Sequence, residues 1–201
     1  MIKKIIDWIE YKLVVCNDDC PESPREWDNI WTLVTAHRKF SWDEELSHDC
    51  ESIDEAFEEH LQNKWLTIDD IYYHRVYLMD HSWWSVRTTP FWCRWDSWHL
   101  WYIYVSIKKA TDELIINEWE TLESKSLRVL NSEIETLDNY LQWNVYEFII
   151  ESREVKEIDG KTFHDDWEHE ESCGWFYDIK EMVGHQSIFT EEEFQEAYDN
   201  N

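Results

Sequence analysis

Glycine is nearly missing from this chain. Three residues, Gly160, Gly174 and Gly184, stand among 201, where about 14 are expected at a usage of about 7%. The scarcity excludes the glycine-rich phosphate loop, the dinucleotide fingerprint and the GxSxG nucleophile elbow, all of which need backbone that only glycine forms cheaply. HExxH is absent too. Turns and left-handed positions are left without the residue that adopts them at no steric penalty.

Other absences narrow the class further. No apolar run reaches the ~18 residues that a membrane helix needs. The start, "MIKKIIDWIEYKLVV", is broken by Asp7, Glu10 and Lys12 and carries no small-residue cleavage site. It is expected to be structure rather than a signal peptide, with the cytoplasm as location. The five cysteines, Cys16, Cys20, Cys50, Cys93 and Cys173, are odd in number and form no CxxC pair. That argues against a disulfide framework or a thiolate zinc site and for reduced, buried thiols. Basic residues are few, 18 against 45 acidic, for a net charge of -27. Such a surface repels phosphates and anionic lipid, so neither direct nucleic-acid binding nor a membrane partner is expected. A protein partner with a basic surface is, and mimicry of the charge of DNA is its sharper form.

What is present in excess is tryptophan, 15 residues. Its surplus roughly matches the glycine deficit. Trp42, Trp83, Trp98, Trp101 and Trp143 stand among Ser, Asp, Asn and Gln where strands begin or end, places that suit glycine and not a large aromatic. Trp8, Trp27, Trp65, Trp95 and Trp119 stand where an aromatic is ordinary. UGA is read as glycine in some bacterial lineages and as tryptophan in others. A gene using the first meaning, translated with the second, gives this composition. The alternative is a tryptophan-rich protein with an aromatic binding face.

Periodicity predicts strands over 11–16, 71–80, 85–89, 100–106 and 144–152, and a further one within 27–40, where a short helix also fits. Residues 71–106 are expected to form an antiparallel meander. A helix is expected over 50–66 with Ser52 as cap. A second, over 121–142, carries Leu127, Leu130, Ile134, Leu137 and Leu141 in one stripe. A turn is placed at Asp159-Gly160, a loop over 164–172 and an acidic helix over 189–200. The sum is an α+β fold: a single domain over 1–201, a mostly antiparallel sheet with helices packed on one face, and an acidic helical tail over 178–201.

The segments "ESPREWDNI" with "AHRKF" (22–40), "YLMDHS" (77–82), "TTPF" to "WDS" (88–97), "YIYVS" (102–106), "NVYEF" (144–148) and "ESCGWFY" (171–177) together resemble a family of small uncharacterised proteins of tailed phages and related mobile elements. The resemblance covers about 22–177. In that family glycine is usual at the places of Trp31, Trp83, Trp98 and Trp143, which supports the recoding reading. This chain departs at Glu147, where glycine is also usual. The resemblance implies a phage-encoded accessory protein and no activity.

Candidate chemistry rests on Cys93, His81 and Asp96. A thiolate nucleophile needs a histidine base and a group that orients its ring. Asp80, His81, Cys93 and His99 hold ligand-type atoms at no regular spacing, so no metal is assigned, and no cofactor. A recognition patch is expected from Arg25, Glu26, Trp27 and Asp28 with Asp80, His81, Trp95 and Asp96. The plainer reading of the first four is a loop pinned by an arginine–carboxylate pair beside an indole. The remaining histidines, His37, His48, His60, His74, His164, His169 and His185, show no paired spacing. The leading function is non-enzymatic binding to host or defence machinery in an infected bacterium. The alternatives are a small Cys/His-dependent hydrolase or transferase, and a virion-associated structural protein.

Overall fold

Alternation of apolar side chains along β-strands and a 3–4 spacing along helices assemble this chain. A computed structural model describes residues 1–36, 42–47, 49–93 and 97–200. In chain order the elements are β1 (Ile2–Ile6), β2 (Ile9–Asn17), β3 (Thr32–Thr35), β4 (Glu44–Glu45), α1 (Ile53–Asn63), β5 (Ile71–His81), β6 (Trp83–Arg87), β7 (Ser97–Ser106), α2 (Ile107–Glu113), α3 (Leu122–Leu141), β8 (Tyr146–Ile158), β9 (Lys161–His164), β10 (Glu168–Phe176), α4 (Ile179–Val183) and α5 (Glu191–Asp199). The chain divides into two compact units, Met1–Glu22 with Trp143–Asn201, and Ser23–Gln142. The fold is α+β with mostly antiparallel pairing, and each unit has its own five-stranded sheet.

In the first unit the strand order is β1-β2-β8-β10, with β9 also on β8. Leu13 and Val15 lie directly opposite Ile150 and Phe148, and all four are fully buried. Inward residues two apart on paired strands meet face to face, which is the alternation rule at work. Helices α4 and α5 cover them with Met182, Phe194 and Ala197. The acidic segment expected as a tail is therefore part of the core: its charges point out, but Phe194 and Ala197 recur on one helical face and are buried. The run expected as a loop over 164–172 belongs mostly to β10, paired with β8. Its acidic sequence hides the strand because both sides of this edge strand are largely exposed.

In the second unit the order is β4-β3-β7-β5-β6. The expected meander does not form: β7 returns to pair with β5, not with the preceding β6. The reason is burial. Strand β7 carries Trp101, Ile103 and Val105 on one face and Tyr102 and Tyr104 on the other, all buried, so it needs a neighbour on both sides. Helix α3 lays Leu130, Ile134 and Leu137 on the first face, and α1 lays Ala56, Phe57 and Leu61 on the second. Phe57 stacks on Tyr102 with ring centroids 3.9 Å apart. Both helices begin where their caps predict. The Ser52 hydroxyl accepts from the Glu55 amide at 3.1 Å, and the Thr121 hydroxyl accepts from the Ser124 amide at 3.1 Å.

The tryptophans sort differently from their expected places. Trp31 and Trp101 are core residues of the second unit. Trp42 packs its edge on Trp101 at 6.0 Å between centroids. Trp83 and Trp98 are strand residues, about half exposed. Trp8 and Trp65, expected to be ordinary, instead hold left-handed backbone, as do Trp143 and Trp175. Among the described residues no helix is long and apolar enough to cross a membrane.

Candidate functional site

The segment "SPRE" folds as a 3-10 turn because Pro24 presets φ and the Ser23 hydroxyl accepts from the Arg25 amide at 3.3 Å. That turn aims the Arg25 side chain inward, where it is 6% exposed. Each of its three guanidinium nitrogens has a partner. It pairs two-pronged with Asp43, donates to Glu133 on α3 at 2.7 Å and to the Trp31 carbonyl at 3.0 Å. Asp43 also accepts from the Leu33 amide at 2.8 Å. One guanidinium thus ties the turn, the edge of the sheet and α3 together.

Two carboxylates sharing one cation set the electrostatics. Burial works against the charge of Arg25, but hydrogen bonds to Asp43 and then Glu133 hold its pKa above the ordinary value. Burial raises Glu133 to about 7, and the Asp43 charge pushes the same way against the pull of Arg25. A concavity of about 100 Å³ opens beside the knot, lined by Arg25, Trp27, Asn29, Val129, Ser132 and Glu133 among others. Since the guanidinium nitrogens already have partners, the geometry favours the pinned-loop reading over ligand capture by Arg25. Glu26 and Asp28 are exposed and take no part in the knot.

The other expected residues belong to the segment that runs from β5 to β7. His81 ends β5 opposite Trp83, with ring centroids 6.0 Å apart. Asp80 accepts from the Trp84 indole at 3.1 Å. Cys93 sits in the loop before β7, partly buried. Asp96, Trp95, His37 and His48 lie outside the described residues. Among the described residues no group of three or more His, Cys, Asp or Glu is placed to hold a metal ion.

Sequence reasoning missed a polar set on the α1 face of the second sheet. The Tyr102 hydroxyl donates to Asp54, Arg75 pairs with Asp54 at 3.0 Å, and the His99 ring lies 3.8 Å from the same carboxylate. Burial, then the Arg75 charge, lowers the His99 pKa. Nearby, His60 meets the Tyr104 hydroxyl at 3.2 Å and Glu44 at 3.3 Å, and burial lowers its pKa as well. These residues come from four separate elements, α1, β4, β5 and β7, so no local spacing announces them. Burial thus lowers both histidines and raises Tyr104 to about 12, the direction that desolvation dictates for each.

The first unit presents an open groove of about 870 Å³ between α4 and α5. Asp178, Glu191, Glu192, Glu196 and Asp199 line it, with Lys180 as the one cation among the described lining residues. Glu192, Glu196 and Asp199 fall at helical spacing on the exposed face of α5, which sets neighbouring Cβ atoms about 5–6 Å apart. Comparison with family models, with curated proteins and with solved structures finds no match.

Proposed function

We propose that this chain is a phage-encoded accessory protein that acts by binding, using its acidic surface to engage a basic protein surface of the host or its defence machinery. The observation that carries the reading is the row of exposed carboxylates on α5 within a chain of net charge -27. A row of carboxylates suits a basic site that evolved for phosphates. Because the guanidinium of Arg25 is already bonded within the protein, the reading places recognition on the acidic surface rather than on the Arg25 loop.

The test is capture from bacterial lysate at about 50 mM and about 300 mM salt, where screening separates electrostatic from apolar association. A partner held at the lower concentration and released at the higher supports the reading. The triple variant Glu192→Lys, Glu196→Lys, Asp199→Lys is expected to lose it. A partner indifferent to both salt and charge reversal refutes it.

A further inference from the structure

Among the described residues, seven other than glycine hold φ in the left-handed region: Asp7, Trp8, Trp65, Ser82, Trp143, Asp159 and Trp175. Three are short and polar, of the kind that visits this region because the side chain is small and bonds locally. The other four are all tryptophan, for which the Cβ and the ring make it a steric outlier. Only one glycine, Gly160, is used in this way.

Each of the four sits in a device whose left-handed position is ordinarily glycine. Trp8 is the second residue of the two-residue hairpin joining β1 and β2, with φ of +49° at Asp7 and +67° at Trp8. The hairpin joining β8 and β9 supplies an internal reference, with φ of +53° at Asp159 and +71° at Gly160. Two like turns read Asp-Trp and Asp-Gly, and the second is the favoured sequence for a turn with both residues left-handed. Trp65 follows the C-cap of α1. The Leu66 amide donates to the Leu61 carbonyl and the Trp65 amide to Gln62, each at 2.9 Å. Those two bonds define the glycine-terminated helix end. Trp143, at +60°, holds the equivalent place after the C-cap of α3. Trp175, at +66°, lies in the bulge where Gly174 and Trp175 face Glu147 alone.

No packing offsets the strain. The four side chains are 62%, 95%, 63% and 52% exposed in chain order. Trp31 and Trp101, by contrast, are 2% and 0% exposed and fill the core.

The structure assigns glycine to positions 8, 65, 143 and 175 of the protein as its own cells make it, encoded by UGA read by a glycine tRNA. The chain is then a product of cells with that reassignment. A cell using the standard code stops at the first of these codons. Decoding thereby keeps the glycine-containing protein to hosts that read UGA as glycine, whatever it binds there.

Tandem mass spectrometry of the protein from its native cells is expected to read glycine at all four positions, and the gene to read UGA there. Tryptophan encoded by UGG overturns the assignment. A second measurement needs no native source. In the tryptophan-containing protein, Trp8→Gly, Trp65→Gly, Trp143→Gly and Trp175→Gly should each raise the thermal midpoint by roughly 2 °C, and together by roughly 8 °C. Trp31→Gly and Trp101→Gly should lower it. A fall on all six substitutions overturns the assignment.

Discussion

Replacing Glu133 with glutamine tests the arginine knot. Glu133 has a carboxyl raised from an ordinary 4.5 to about 7, so the folded state holds its proton more tightly than the unfolded chain does. The sign follows: the stabilisation from the protonated group is complete below about pH 4.5 and is lost as pH rises through about 7. The gap corresponds to about 3 kcal/mol, and the side chain is only 17% exposed, so solvent screens little of it. His60, His74 and His99 in the same unit are lowered by burial and act in the opposite direction over part of this range. The difference between wild type and Glu133→Gln is therefore the quantity to measure. Urea midpoints followed by tryptophan fluorescence from pH 5 to 8 give it. The glutamine variant should gain on wild type by about 2 kcal/mol across that range, since its amide cannot ionise in this buried place beside Asp43. An unchanged difference between the two proteins from pH 5 to 8 would refute the burial of the Glu133 carboxyl in the arginine knot.

Further outcomes follow from packing and exposure. Gly174→Ala should destabilise the protein by about 1–3 kcal/mol in denaturant titration, since its Cβ would lie 2.6 Å from the Asp18 carboxylate. Leu130→Ala, fully buried beneath α3, should cost about 2–5 kcal/mol by the same assay, and a loss under about 1 kcal/mol would contradict the packing. Cys20 is exposed, while burial and then the Glu147 hydrogen bond push the Cys16 thiol up to about 11. Timed alkylation at pH 8 with peptide mapping should label Cys20 well before Cys16.

Much of the architecture was legible in local pattern. Leu127, Leu130, Ile134, Leu137 and Leu141 marked α3, and Ser52 marked the start of α1, because helix periodicity and caps are properties of neighbouring residues. Trp8 and Trp65 were misread for a related reason: the cue for a hairpin turn or a helix end is glycine, and an indole stands in its place. Trp31 and Trp101 were misread in the other direction, since nothing next to them in sequence indicates that they fill a core. The plainer reading of the Arg25 loop named an arginine–carboxylate pair, and such pairs form, but the carboxylates are Asp43 and Glu133, 18 and 108 residues away.

By itself the sequence determined the sign of the surface, the α+β class and the faces of the longer helices, because charge and periodicity are local sums. Tertiary structure decided the return of β7 to β5, the burial of the acidic C-terminal helix, the raised Glu133 carboxyl and the left-handed backbone at four tryptophans. Each of these depends on which distant strand, charge or helix end closes on a residue, and chain separation conceals that from any local reading.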